Sequence, residues 1–171
     1  MPGADDGSEV SRLYPRTTSL EFLQRCRPAT ADFYGYWDAK RRGRAMPARA
    51  DIDPLEMKEW LPGVALVEVR RDPHSPYGHT LHYRLIGTRP TKLRGREVTG
   101  MSVELGYFGA SLEAALENYR LVIEEKTPVY DWDHTPSPDG LAREAETLLL
   151  PLSSDGATVD MVLVYQETEG V

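Results

Sequence analysis

A single cysteine, Cys26, leaves this chain without an internal disulfide framework or a cysteine-built zinc cage. No apolar run approaches the roughly 20 residues that a membrane-spanning helix needs. The acidic start MPGADDGSEV has no apolar stretch of the kind a secretory signal carries, so a cytoplasmic location is expected. Positive charge is also in short supply. Twenty Lys and Arg against 27 Asp and Glu leave a net charge of −7, a poor basis for neutralising phosphates, so nucleic acid is an unlikely partner class. Two basic clusters stand out locally, Lys40 to Arg44 and Arg89 to Arg96. The first follows a predicted helix, where cations complement the negative end of the dipole. Catalytic signatures are missing too: there is no H-E-x-x-H, no G-x-S-x-G, no phosphate-cradling loop and no dinucleotide fingerprint. The stretch GTRPTKLRGREVTG spaces its glycines widely and lacks the G-K-[ST] of a phosphate loop.

What remains is an ordinary globular composition, 40% apolar and 27% charged, enough to bury one core. Residues 1–18 are polar and read as a flexible segment. Residues 19–46 read as an N-terminal helical extension and 47–171 as the main domain. A short helix is expected over Ser19–Arg27 with Leu20, Phe22 and Leu23 apolar, and a second over Ala31–Arg42, stopped by Gly43. The second places Phe33, Tyr36 and Trp37 on one stripe. Such a stripe either packs on the domain's own sheet or makes a dimer contact. In DIDPLEMKEWLPG, Asp53 suits an N-cap, Pro54 the first helical position and Glu56 the third, a capping-box variant.

The strands are plainer. VALVEV (Val64–Val69) reads as nearly continuous and buried, and LHYRLIG (Leu81–Gly87) as its hairpin partner. Thr88 to Gly109 suits short helical turns. Ser111 opens a long helix with Leu112, Ala115, Leu116, Tyr119, Val122 and Ile123 on one face, ending before Pro128. VYDWDHT is a short strand with Tyr130 and Trp132 on one side. AETLLLPL and TVDMVLVYQ flank a hairpin loop. Strands at both ends of a domain around central helices give an α+β fold with one antiparallel sheet.

This order and the pieces YWDAKRRGRAMPARADIDP, LPGVALVEV, YRLIGT, LRGREVTGM and LLLPLSSDG resemble the PAS superfamily. More narrowly they resemble the PAS-like family of alphaproteobacterial single-domain proteins. The resemblance spans about Tyr36 to Tyr165. It implies a five-stranded antiparallel sheet with helices on one face, and a non-enzymatic sensory or regulatory module in signal transduction. It also implies action through a partner protein and, as is frequent in the family, homodimerisation through an N-terminal helix; whether a small metabolite is bound is left open by the resemblance. Haem-binding relatives carry an axial histidine on the long helix, whereas the four histidines here, His74, His79, His82 and His134, lie in strands or loops. Flavin photosensors use a reactive cysteine in the central helical region, and Cys26 lies in the lead-in. No cofactor and no metal are therefore expected.

Pocket candidates follow from the predicted faces: Tyr83 and Leu85, Met101, Leu116 and Tyr119, then Trp132, Met161 and Leu163. The same residues would also make a filled core. Tyr83, Tyr119 and Trp132 each carry one polar group on an apolar body. Asp131 and Asp133, beside His134, are expected to share a solvated face. Arg49 and Asp51 either fix their loop by pairing or take part in recognition. The rival class is a small α+β isomerase or hydrolase with a buried carboxylate or histidine in the cleft.

Overall fold

The computed structural model describes residues 16–88, 96–109, 111–136 and 142–168. Residues 1–15 of the expected flexible segment, and all but Arg96 of the second basic cluster, lie outside the described residues. Helix α1 spans Pro28–Arg41. Strands β1 (Val64–Arg71) and β2 (His79–Ile86) follow, then the short helix α2 (Val103–Gly106) and the long helix α3 (Leu112–Glu125). Strands β3 (Val129–Pro136), β4 (Ala142–Leu152) and β5 (Met161–Thr168) complete the chain. All pairings are antiparallel, in the order β2-β1-β5-β4-β3.

Both faces of this sheet are buried. On one, Tyr83, Val122, Leu149 and Val164 pack together beneath α2 and α3. On the other, α1 lays Phe33, Tyr34 and Trp37 against Leu148, Leu150, Leu163 and Tyr165. The N-terminal helices expected to precede the sheet therefore form a third layer over it, sharing a core with it. Because alternate residues of a strand point to opposite faces, each central strand feeds both cores and reads as an unbroken apolar run.

The aromatic stripe of α1 faces inward. Phe33 and Trp37 are 0% and 2% exposed, and the Trp37 indole N–H donates to the Pro151 carbonyl at 3.0 Å. Phe33 packs on Tyr165 and Trp60. Half-buried Tyr36 is tied to its own chain: its hydroxyl accepts from the Asp53 N–H at 3.0 Å and donates to the Asp53 carbonyl at 3.4 Å. The dimer contact expected of these three side chains is thus corrected, since they are spent on the chain's own core. The outward positions of α1 are Asp32, Gly35 and Ala39, too small and polar for an aromatic interface.

The capped helix expected at Asp53 is a run of turns ending in a 3-10 turn at Leu61–Gly63. Asp53 does cap, its carboxylate accepting from the Leu55 N–H at 2.9 Å. The reciprocal half of the box fails because Glu56 pairs with Lys40 at 2.7 Å and Tyr36 satisfies the Asp53 N–H. The first expected helix is likewise a 3-10 turn, Leu20–Gln24, with Phe22 buried and Leu20 exposed. Gly87 ends β2 where a Cβ would lie 2.2 Å from the Leu61 carbonyl oxygen, and its N–H donates to Val64 at 2.7 Å. Only glycine lets these two segments cross so closely.

Candidate functional site

Between α3 and the sheet lies a cavity of about 100 Å³. Ser111 caps α3 by accepting from the Ala114 N–H at 3.1 Å, which starts the helix at the cavity's edge. The helix wall is built from Ala114, Ala115, Asn118 and Tyr119. The sheet wall comes from Tyr83 on β2, Asp131 and Asp133 on β3, Thr147 and Leu149 on β4, and Val164 and Gln166 on β5. Tyr107 and Phe108, between α2 and α3, close one side. Tyr107 folds back over Gly109, its hydroxyl 2.2 Å from where a Cβ would stand, so a side chain at 109 would push the Tyr107 ring aside.

Of the residues expected to line a pocket, Tyr83 and Tyr119 do so. Leu116 packs in the same layer beside the cavity without lining it. The others lie elsewhere. Trp132, Met161 and Leu163 sit on the opposite face, in the core beneath α1. Leu85 is displaced by a bulge. Val67 pairs with Tyr83 but Leu66 with Leu85, so Arg84 is an extra residue that turns Leu85 away from Tyr83's face. Leu85 is left 37% exposed. Met101 is equally exposed, and its carbonyl accepts the Tyr83 N–H at 3.0 Å, covering the edge of β2.

Asp131 and Asp133, expected on a solvated face, both line the cavity, Asp131 half-buried and Asp133 exposed. The Asn118 amide donates to Asp131 at 2.7 Å. Asn118 is buried, and its oxygen accepts from the Arg16 Nε at 2.5 Å, while the Arg16 Nη2 donates to the Ala114 carbonyl at 2.9 Å. The next residue, Thr17, exchanges two backbone hydrogen bonds with Tyr130, at 2.7 and 2.9 Å. Residues 16 and 17, counted above in the flexible segment, are thus pinned to the β3 edge. Sequence reasoning passed over Asn118, although it stands three residues after Ala115 and four before Val122, inside the apolar stripe.

Burial raises the Asp131 carboxyl above its ordinary range, and the nearby Asp133 adds to this. The Asn118 hydrogen bond, the Arg16 charge and the Trp132 backbone act in the opposite direction. An aspartate raised in the folded state contributes stability fully below its unfolded value and loses it as pH climbs through the folded one. Burial also raises the Tyr107 phenol, with the Asp133 and Asp131 carboxylates adding to it.

The opposite face holds a different carboxylate. Glu146, 4% exposed, accepts from the Arg27 N–H at 2.9 Å, the Thr30 hydroxyl at 2.5 Å and the Tyr130 hydroxyl at 2.7 Å. Arg27 is the N-cap of α1 and makes no side-chain cap of its own, so a sheet residue caps this helix. Cys26 lies beside it, its thiol pushed up to about 11 by burial and then by Glu146, and it is therefore protonated near neutrality.

The remaining polar candidates make contacts within their own loop and to Arg44 beyond α1's end. Asp51 accepts from the Ala48 N–H at 2.8 Å and pairs with Arg44 at 2.7 Å, and Arg49 turns to the Ile52 carbonyl at 3.0 Å, so Arg49 and Asp51 do not pair with each other. Three of the four cations of the first basic cluster are paired within the chain, Lys40 with Glu56, Arg41 with Asp38 and Arg44 with Asp51. Among the described residues no group of three metal-binding side chains occurs, and no helix is long and apolar enough to cross a membrane.

The fold is thus a five-stranded antiparallel sheet in the order β2-β1-β5-β4-β3 with a cavity under its long helix. A family model described as a PAS domain matches residues 25–165, most of the chain, and the chain belongs to that family. No curated protein matches it. Among solved structures it is similar to the Rhodobacter sphaeroides LOV protein at 14% identity, covering 63% of this chain and 59% of that one with a TM-score of 0.45. The Vibrio cholerae VqmA dimer shares 18% identity over 67% of this chain and 49% of its own, at 0.47. The PAS domain of an HTR-like protein from Haloarcula marismortui shares 15% over 67% and 88%, at 0.41. The chain spans 59% of the length of the first of these. The assignment rests on the family match and the strand order, not on these distant likenesses.

Proposed function

We propose that this PAS domain is a sensory module whose input is the cavity beneath α3 and whose output is the N-terminal layer on the other side of the sheet. The observation that carries this reading is the continuous path Asp131–Asn118–Arg16–Thr17–Tyr130. A group inside the cavity is joined by hydrogen bonds to the chain segment that leads into Phe22 and α1. An occupant that takes the Asn118 oxygen competes with Arg16 directly, and one that takes Asp131 competes with the Asn118 amide that also serves Arg16, so it binds the attached and released states of that segment unequally. This difference is what a signal requires. Output then passes to a partner protein, or to a second copy, through the N-terminal layer, and the work is contact without turnover.

The hydrolase or isomerase alternative would build on Asp131, with Asp133 beside it in the lining. Among the described residues lining the cavity there is no His, Cys or Lys to act as its proton partner or nucleophile, and Ser111 is committed to capping α3.

The path is tested by backbone amide exchange in Asn118→Ala. The Thr17 and Tyr130 amides should exchange about two- to tenfold faster, matching the net 0.5–1.5 kcal/mol of one hydrogen bond. The amides of the β1–β5 ladder should hold their rates. Unchanged exchange at Thr17 in a folded variant would show that the cavity does not reach the N-terminal segment.

A further inference from the structure

Resting on the reading of this cavity as the input site, we infer that its occupant is a small organic cation, a primary or substituted ammonium of a few heavy atoms. Size comes first. A cavity of about 100 Å³ lies below the roughly 300–1,000 Å³ that drug-sized ligands occupy, so the occupant is small.

Charge decides its sign. Two carboxylates, Asp131 and Asp133, line the space, and among the described lining residues there is no Lys, Arg or His. The nearest cation, Arg16, gives its hydrogen bonds to Asn118 and to the Ala114 carbonyl rather than to Asp131. Among the described residues Asp131 is therefore a partly buried carboxylate with an amide donor and no ion pair, a state that a bound ammonium relieves through a charge-assisted hydrogen bond. Burial raises the Asp131 carboxyl even with the Arg16 charge acting against it.

The remaining lining points the same way by separate chemistry. Tyr83, Tyr107, Phe108 and Tyr119 surround the space, and aromatic faces attract a cation within about 6 Å. An anion would meet like charge from both carboxylates. A neutral apolar molecule would gain from the rings but leave the polar groups of Asp131, Asn118 and Thr147 cut off from water without new partners.

The test is an NMR titration of the full chain at pH 7.5 and constant ionic strength with three probes of one shape: propylammonium chloride, 1-propanol and sodium propionate. Propylammonium should give saturable shifts at the Asn118 side-chain amide and the Tyr107 and Asp131 backbone amides. Propanol should bind at least about tenfold more weakly and propionate should give no saturable shift, the tenfold being one lost charge-assisted hydrogen bond. Asp131→Asn should weaken the ammonium by a similar factor. Exposed Asp133→Asn, which puts the fold at less risk, should weaken it less. Equal binding of propanol, preference for propionate, no saturable binding of propylammonium, or undiminished ammonium binding in folded Asp131→Asn would each overturn the inference. The first two would leave the cavity as an input site and remove only the cation. Whether the cavity speaks to the N-terminal segment is decided separately by the Thr17 exchange in Asn118→Ala.

Discussion

Trp37→Ala is expected to lower the free energy of unfolding by about 3–5 kcal/mol, the usual cost of emptying a large aromatic site in a core. The indole is 2% exposed, sits beside Tyr34, and donates to the Pro151 carbonyl near the end of β4. Its removal leaves a void between α1 and the sheet and an unpaired carbonyl there. Urea denaturation gives the stability change, and light scattering gives the mass. The mass of the folded variant should equal that of the parent chain, because the aromatic side of α1 faces its own sheet. A stability loss under about 1 kcal/mol combined with a change of mass would restore the aromatic stripe as an interface between copies.

Glu146→Ala is the second large effect, about 2–4 kcal/mol. Three donors lose their acceptor: the Arg27 N–H at the start of α1, the Thr30 hydroxyl and the Tyr130 hydroxyl. Each orphaned buried donor costs about 1–3 kcal/mol, and relief from burying a carboxylate offsets part of the sum. Glu146→Gln should cost clearly less, since its oxygen still serves Arg27 and Thr30 while its amide can donate to the Tyr130 oxygen. Denaturation of both variants, with exchange at the first turn of α1, checks the ranking. Equal losses for Ala and Gln would mean that the carboxylate's charge, not its geometry, holds α1 in place.

These two sites also show what the sequence made legible. Strand existence and order were readable because VALVEV, LHYRLIG, AETLLLPL and MVLVYQ are apolar runs bounded by turns, and the family pieces fixed their arrangement. The long helix was readable from its stripe and its Ser111 cap. Which face of each strand meets the cavity was not. A sheet covered on both sides makes both alternating sets apolar, so Met161, Leu163 and Trp132 look as good for a cavity as Val162, Val164 and Asp131. On β2 the parity itself changes at Arg84, an insertion that no local pattern announces. The covering of the second face by α1 is a long-range fact: Glu146 caps a helix 119 residues before it. Asp131 was misplaced for the same reason, since a carboxylate on a strand reads as solvated until the layer above it is known.

The central claim is that the cavity carboxylate and the N-terminal segment are coupled energetically through Asn118. A double-mutant cycle on unfolding free energy, combining Arg16→Ala with Asp131→Asn, measures that coupling directly. Two residues that share one hydrogen-bond network should show an interaction energy of about 0.5 kcal/mol or more, with the double variant departing from the sum of the singles. Additivity within about 0.3 kcal/mol would mean that the two sites act independently, and the cavity would have no route to the N-terminal layer.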